Sequence, residues 1–181
     1  EMCIRDRSYE ENKVHAVVWE SDYPGIPVFD YLHVYTRKPN GTAKARLTFR
    51  GDQKRRWLEA KGVSTEKDAP TVKKESARMY HSINAEKGWI EFNGDVPVAF
   101  LKSERDPKRG VILMKAPPTF EVKPGQCLRL DKYVYGEDDA PFVWYVSFRG
   151  NAVHVGFQVH SQDAGVFMLF NATDDLSSRR T

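Results

Sequence analysis

Residues Phe142-Val143-Trp144-Tyr145-Val146-Ser147-Phe148-Arg149-Gly150-Asn151-Ala152-Val153-His154-Val155-Gly156-Phe157-Gln158-Val159-His160 carry the reading of the fold. Apolar side chains recur at every second position, the period of half-buried strands. Phe142, Trp144, Val146 and Phe148 share one face of a first strand; Val153, Val155, Phe157 and Val159 share one face of a second. Gly150-Asn151 suits a two-residue turn, because both residues tolerate positive φ. That turn sets Phe148 against Val153, Val146 against Val155, Trp144 against Phe157 and Phe142 against Val159. A slip of one residue would put half of them on the wrong face. On the other face Tyr145 falls opposite Gly156, where a ring covers bare backbone. The stretch predicts an antiparallel hairpin.

Alternation continues outward. From Thr42 to Arg50, Ala43, Ala45, Leu47 and Phe49 point one way and Lys44, Arg46, Thr48 and Arg50 the other. A second hairpin is expected over Trp89–Phe100, pairing Phe92 with Val96 and Ile90 with Val98. Pro97, which cannot donate to a ladder, then faces an edge. Further strands are expected near residues 14–19, 28–37, 110–116, 126–135 and 165–171. Asp52–Gly62 has an N-cap candidate, good helix formers and a terminal glycine, and predicts one short helix. Residues 63–75 read as a long exposed loop. Many short strands and one short helix predict an all-β fold, an antiparallel, jelly-roll-like β-sandwich.

The chain has 181 residues, 28 Lys+Arg against 25 Asp+Glu and a formal charge of +3. That suits one domain with a sizeable core. No apolar run approaches the roughly 20 residues of a membrane span. The mild positive excess does not single out nucleic acid, for which clustering on one face matters more. Residues 1–8, containing the string Met2-Cys3-Ile4-Arg5-Asp6-Arg7-Ser8, read as a translated adapter remnant, and the domain is expected over 9–176. The compartment and oligomeric state are left open.

No GxGxxG follows a strand and no GxxxxGK[ST] occurs, so nucleotide chemistry of those types is not expected. Cys127 stands without a CxxC or a Cys/His cluster. The histidines form no HxH or HxD pair, and His154 and His160 would stand about 20 Å apart along a strand. No metal and no cofactor are expected. Carboxylates suited to glycoside hydrolysis are not identifiable, and no GxSxG elbow is present. The basic face of Lys44, Arg46, Arg50, Lys54, Arg55 and Arg56 reads as a solvated surface, lacking the interleaved aromatics of a single-strand platform.

The outward face of the 142–160 hairpin is the expected binding surface. Tyr145, Arg149, His154 and Gln158 combine a ring with hydrogen-bonding groups, as a sugar-binding sheet face does. No catalytic residue is assigned.

Residues Trp144–Gly156, followed by Phe167-Met168-Leu169-Phe170-Asn171-Ala172-Thr173-Asp174, resemble a block of the farnesoic acid O-methyltransferase-like domain. Leu32-His33-Val34-Tyr35 with Ala43-Lys44-Ala45 is similar to its first strand pair, and Met79-Tyr80 to its middle strand. The family's Gly-Gly-Trp-x-Asn run is absent. The resemblance implies a β-sandwich module that binds carbohydrate or another small polar ligand. The expectation is a non-catalytic binding module, without specific nucleic acid as a partner. The alternatives are a carbohydrate-active hydrolase or methyl transferase on the same scaffold, and a capsid- or tail-type structural protein.

Overall fold

The computed structural model describes residues 4–37, 39–41, 43–64 and 66–170. The chain is mixed α/β and divides into two compact units, Glu1–Lys67 with Val96–Pro141 and Asp68–Asp95 with Phe142–Thr181.

The first unit holds helices α1 (Ile4–Glu11) and α2 (Gly51–Ala60). Its strands are β1 (His15–Trp19), β2 (Val28–Phe29), β3 (Tyr31–Arg37), β4 (Ala43–Phe49), β5 (Leu113–Met114) and β6 (Gln126–Leu130). A four-stranded sheet runs in the order β1-β6-β5-β2. Its β1–β6 and β5–β6 pairs are antiparallel and its β2–β5 pair is parallel. The β3–β4 pair forms a separate antiparallel ribbon, in register from Tyr31 opposite Phe49 to Arg37 opposite Ala43. Alternation in β4 works as its sequence predicts at the base: Leu47 and Phe49 are buried while Arg46 is exposed. They join Phe29, Met114, Leu128, Leu130, Ile112 and Val134 in one apolar core. Full burial of each such side chain contributes about 1.5–3 kcal/mol.

Gly136 fixes how the ribbon meets this core. Its φ is +97°, and a Cβ there would run into the backbone of Phe49. The close approach lets the Phe49 N–H donate to the Tyr135 carbonyl at 2.7 Å. Only glycine meets both demands.

The second unit overturns the sandwich. Residues 142–154 are not a strand and turn but part of helix α4 (Ala140–His154). Apolar residues occupy adjacent positions as well as alternate ones in Phe142-Val143-Trp144-Tyr145-Val146, so periodicity alone cannot separate strand from buried helix. The decisive signals lie at the ends. Asp138-Asp139-Ala140-Pro141 puts acids before the positive helix end and proline in the first turn, where its missing N–H costs nothing. Gly156, with φ +101°, ends the helix; the Phe157 N–H donates back to the Ala152 carbonyl at 2.9 Å. Gly150-Asn151 is helix interior.

Helix α3 (Lys74–Lys87) replaces the end of the expected loop and the segment before the second hairpin. Glu75 in its first turn and Lys87 in its last complement the helix dipole. Gly88, at φ +64°, supplies the left-handed cap. The Lys73 N–H donates to Asp163 Oδ2 at 2.9 Å, tying the start of α3 to β8 (Asp163–Met168). β8 pairs antiparallel with β7 (Gln158–His160). α4 packs on β8 through Phe148 and Phe167, whose rings cross at 90° with centroids 5.3 Å apart. The hairpin expected over Trp89–Phe100 does not form: residues 89–95 have no strand partner among the described residues. Val98 takes a φ of 51° and Ala99–Lys102 is a 3-10 turn. The strand expected at 165–171 is β8, residue 171 lying outside the described residues.

Candidate nucleic-acid interface

The β3–β4 ribbon concentrates positive charge. Between Tyr31 and Arg50 the sequence carries Arg37, Lys38, Lys44, Arg46 and Arg50, with no Asp or Glu. Arg37 and Arg46 are exposed, and neither forms an ion pair among the described residues. On the face of the ladder that includes Arg37, β3 sets Tyr31, His33 and Tyr35 at alternate positions. Their ring centroids follow one another at 5.3 and 5.8 Å. Arg46, opposite Val34, lies on the other face of the ladder, so of the two exposed arginines Arg37 alone shares a face with the rings. The rings sit on the neighbouring strand, a relation that needs the register to be seen.

The remaining cations of the basic stretch are spent. Arg50 Nε donates to Asp52 Oδ1 at 2.7 Å and holds that half-buried carboxyl at a pKa of about 2. Arg56 shares Asp52 at 2.7 Å, and Arg55 pairs with Asp138 at 3.0 Å. Lys54, expected on a solvated face, is buried with Glu137 at 2.7 Å and Asp139 at 2.8 Å. Burial works against its charge, but the two carboxylates outweigh burial and raise its pKa. Arg105 completes the cluster, 2.6 Å from Glu137, with its guanidinium 4.5 Å above the Tyr133 ring. A cavity of about 430 Å³ borders Lys54, Arg105, Lys108, Arg109 and Asp139. Most of its cations already face carboxylates, so the ribbon is the stronger site for a polyanion.

The residues expected to bind a small ligand are dispersed. Tyr145 and Arg149 lie one turn apart on α4, while His154, nine residues from Tyr145, faces the opposite side of the same helix. Gln158 is on β7. Tyr145 Oη donates to the Ala164 carbonyl at 3.0 Å, an anchor between α4 and β8. There is no sheet face that joins the four.

The model of the reverse transcriptase (RNA-dependent DNA polymerase) family matches residues 14–176. The chain belongs to this family. The chain is 29% identical over 153 residues to a retrovirus-related Pol polyprotein from transposon RE2 of Arabidopsis thaliana, covering 81% of the chain and 10% of that protein. It is 29% identical over 143 residues to the corresponding polyprotein from transposon RE1 of the same plant, covering 75% of the chain and 9% of the relative. The chain thus spans about a tenth of the length of these curated relatives. No solved structure matches it.

Reverse transcriptase membership corrects several expectations together. The likeness to the farnesoic acid O-methyltransferase-like domain rested on alternating aromatics that the structure places in a helix. The carbohydrate-binding and structural readings fall with the sandwich. A non-catalytic module without nucleic acid gives way to a family of template-directed polymerases. No helix among the described residues is long and apolar enough to cross a membrane.

Proposed function

We propose that this chain is part of an RNA-dependent DNA polymerase carried in a transposon Pol polyprotein, and that its β3–β4 ribbon contacts template and primer. The family match over residues 14–176 carries this reading. The acid-free, basic ribbon supports it, because phosphate contacts supply most of the affinity of sequence-independent nucleic-acid binding.

Polymerases of this kind employ paired divalent ions that clamp the attacking and leaving oxygens. Among the described residues no three His, Cys, Asp or Glu side chains come together as such a site. Buried Glu137 and Asp139 already face Lys54, Arg105 and Arg109. Asp174 and Asp175 fall within the matched span and outside the described residues.

The test is extension of a DNA primer on an RNA template by a Pol polypeptide containing this chain. Template-directed incorporation that is lost in an Arg37→Gln/Arg46→Gln variant supports the reading. Incorporation indifferent to both substitutions contradicts the role of the ribbon, and no incorporation by the parent contradicts the polymerase assignment.

A further inference from the structure

We infer that the aromatic face of the β3–β4 ribbon is a stacking platform for unpaired bases of a single-stranded nucleic acid. The inference rests on the nucleic-acid reading above and adds a strand preference to it. Tyr31, His33 and Tyr35 share one face of β3, and the ladder is graded from base to tip. At the base, Tyr31 and His33 stand opposite Phe49 and Leu47, both buried, which fix the inner rings against the core. At the tip, Tyr35 is 74% exposed and stands opposite Ala45, too small to cover a ring face. Arg37 follows on the same face, opposite Ala43.

An exposed tyrosine of this size costs apolar hydration, and the ladder holds it ready beside His33, with ring centroids 5.8 Å apart. A base stacked on such a ring gains roughly 1–3 kcal/mol irrespective of its identity, while Arg37 offers a charge to a neighbouring phosphate. The bases of a duplex are already stacked on one another and have no face to offer Tyr35. A polyanion also fits the local charge, since the ribbon contains no carboxylate to repel phosphate. The ribbon therefore reads unpaired template, and duplex is held by charge alone.

The test measures fluorescence anisotropy of the full chain with a labelled oligouridylate of about 12 nucleotides and with an RNA–DNA hybrid of equal length. Tyr35→Ala is expected to weaken oligouridylate binding by roughly 5- to 150-fold, the loss of one base–aromatic stack, with hybrid binding unchanged. Tyr35→Phe keeps the ring and is expected to keep the affinity. Thermal unfolding of Tyr35→Ala should match the parent, because the side chain is exposed. If Tyr35→Ala changes neither affinity, or both equally, the platform is wrong and the charge-based reading stands. If the parent binds neither oligonucleotide, both readings fall.

Discussion

Lys54 Nζ lies 2.7 Å from Glu137 Oε2, and neither side chain is more than 8% exposed. A lysine at that position in α2 looks like an ordinary solvated residue of a basic helix. Instead it is the centre of a buried cluster in which Glu137 accepts from both Lys54 and Arg105. Glu137 also accepts the backbone N–H of Val134 at 3.1 Å, so one carboxylate organises three donors.

Removing that carboxylate takes the paired carboxylate from buried Arg105 and leaves buried Lys54 with Asp139 alone. Glu137→Gln is expected to lower unfolding free energy by about 3–5 kcal/mol, the range for breaking a buried ion pair. Asp138→Asn, one residue away but paired with a partly exposed Arg55, is expected to cost less than about 1 kcal/mol. Urea denaturation of both variants measures the difference. Equal, small effects would show that the cluster is solvated.

The helix at 140–154 makes opposite predictions for its two glycines. Gly150 lies in the helix interior with open space where a Cβ would sit, so Gly150→Ala should stabilise the chain by about 0.5–1 kcal/mol. Gly156 caps the helix at φ +101°, and Gly156→Ala should destabilise it by about 1 kcal/mol or more. Thermal unfolding reads both shifts. A two-residue hairpin turn at Gly150-Asn151 would reverse the sign of the first.

His15 gives the fold an acid-sensitive element. Burial depresses its pKa below 6.5, with Glu10 and Asp131 opposing the shift, and its Nδ1 is buried without a hydrogen-bond partner. A group with a depressed folded pKa contributes stability above its unfolded value and loses it as pH falls toward the folded one. Stability is expected to fall as the pH drops below about 6.5, and His15→Leu should flatten that limb. An unchanged slope in His15→Leu would assign the acid sensitivity to other groups.

The parts of the fold that were legible in the sequence are those where a period and an end signal agree. β4 is one, with Leu47 and Phe49 alternating inward between polar neighbours. α2 is another, ending at Gly62 with the Gly62 N–H donating to the Glu59 carbonyl. α4 was not legible from period, because a run of adjacent apolar residues satisfies both periods, and its end signals at Pro141 and Gly156 carried the information. α3 has no fully buried residue, and its half-buried stripe of Ala77, Tyr80 and Ile83 is too short and too interrupted by polar residues to mark a helix by period alone. The candidate interface depends on relations between strands. Tyr35 and Ala45 are ten positions apart in sequence, and only the register shows that the ring of Tyr35 stands opposite a side chain too small to cover it, with Arg37 on the same face.

The most direct test of the account is the affinity of the chain for an RNA template annealed to a DNA primer, measured against salt concentration. The account predicts salt-sensitive binding that Arg37→Gln/Arg46→Gln weakens for every sequence, with the log–log salt slope reduced by about two, one for each lost phosphate contact. Binding with an unaltered slope in the double variant, or no binding by the parent chain, would contradict it.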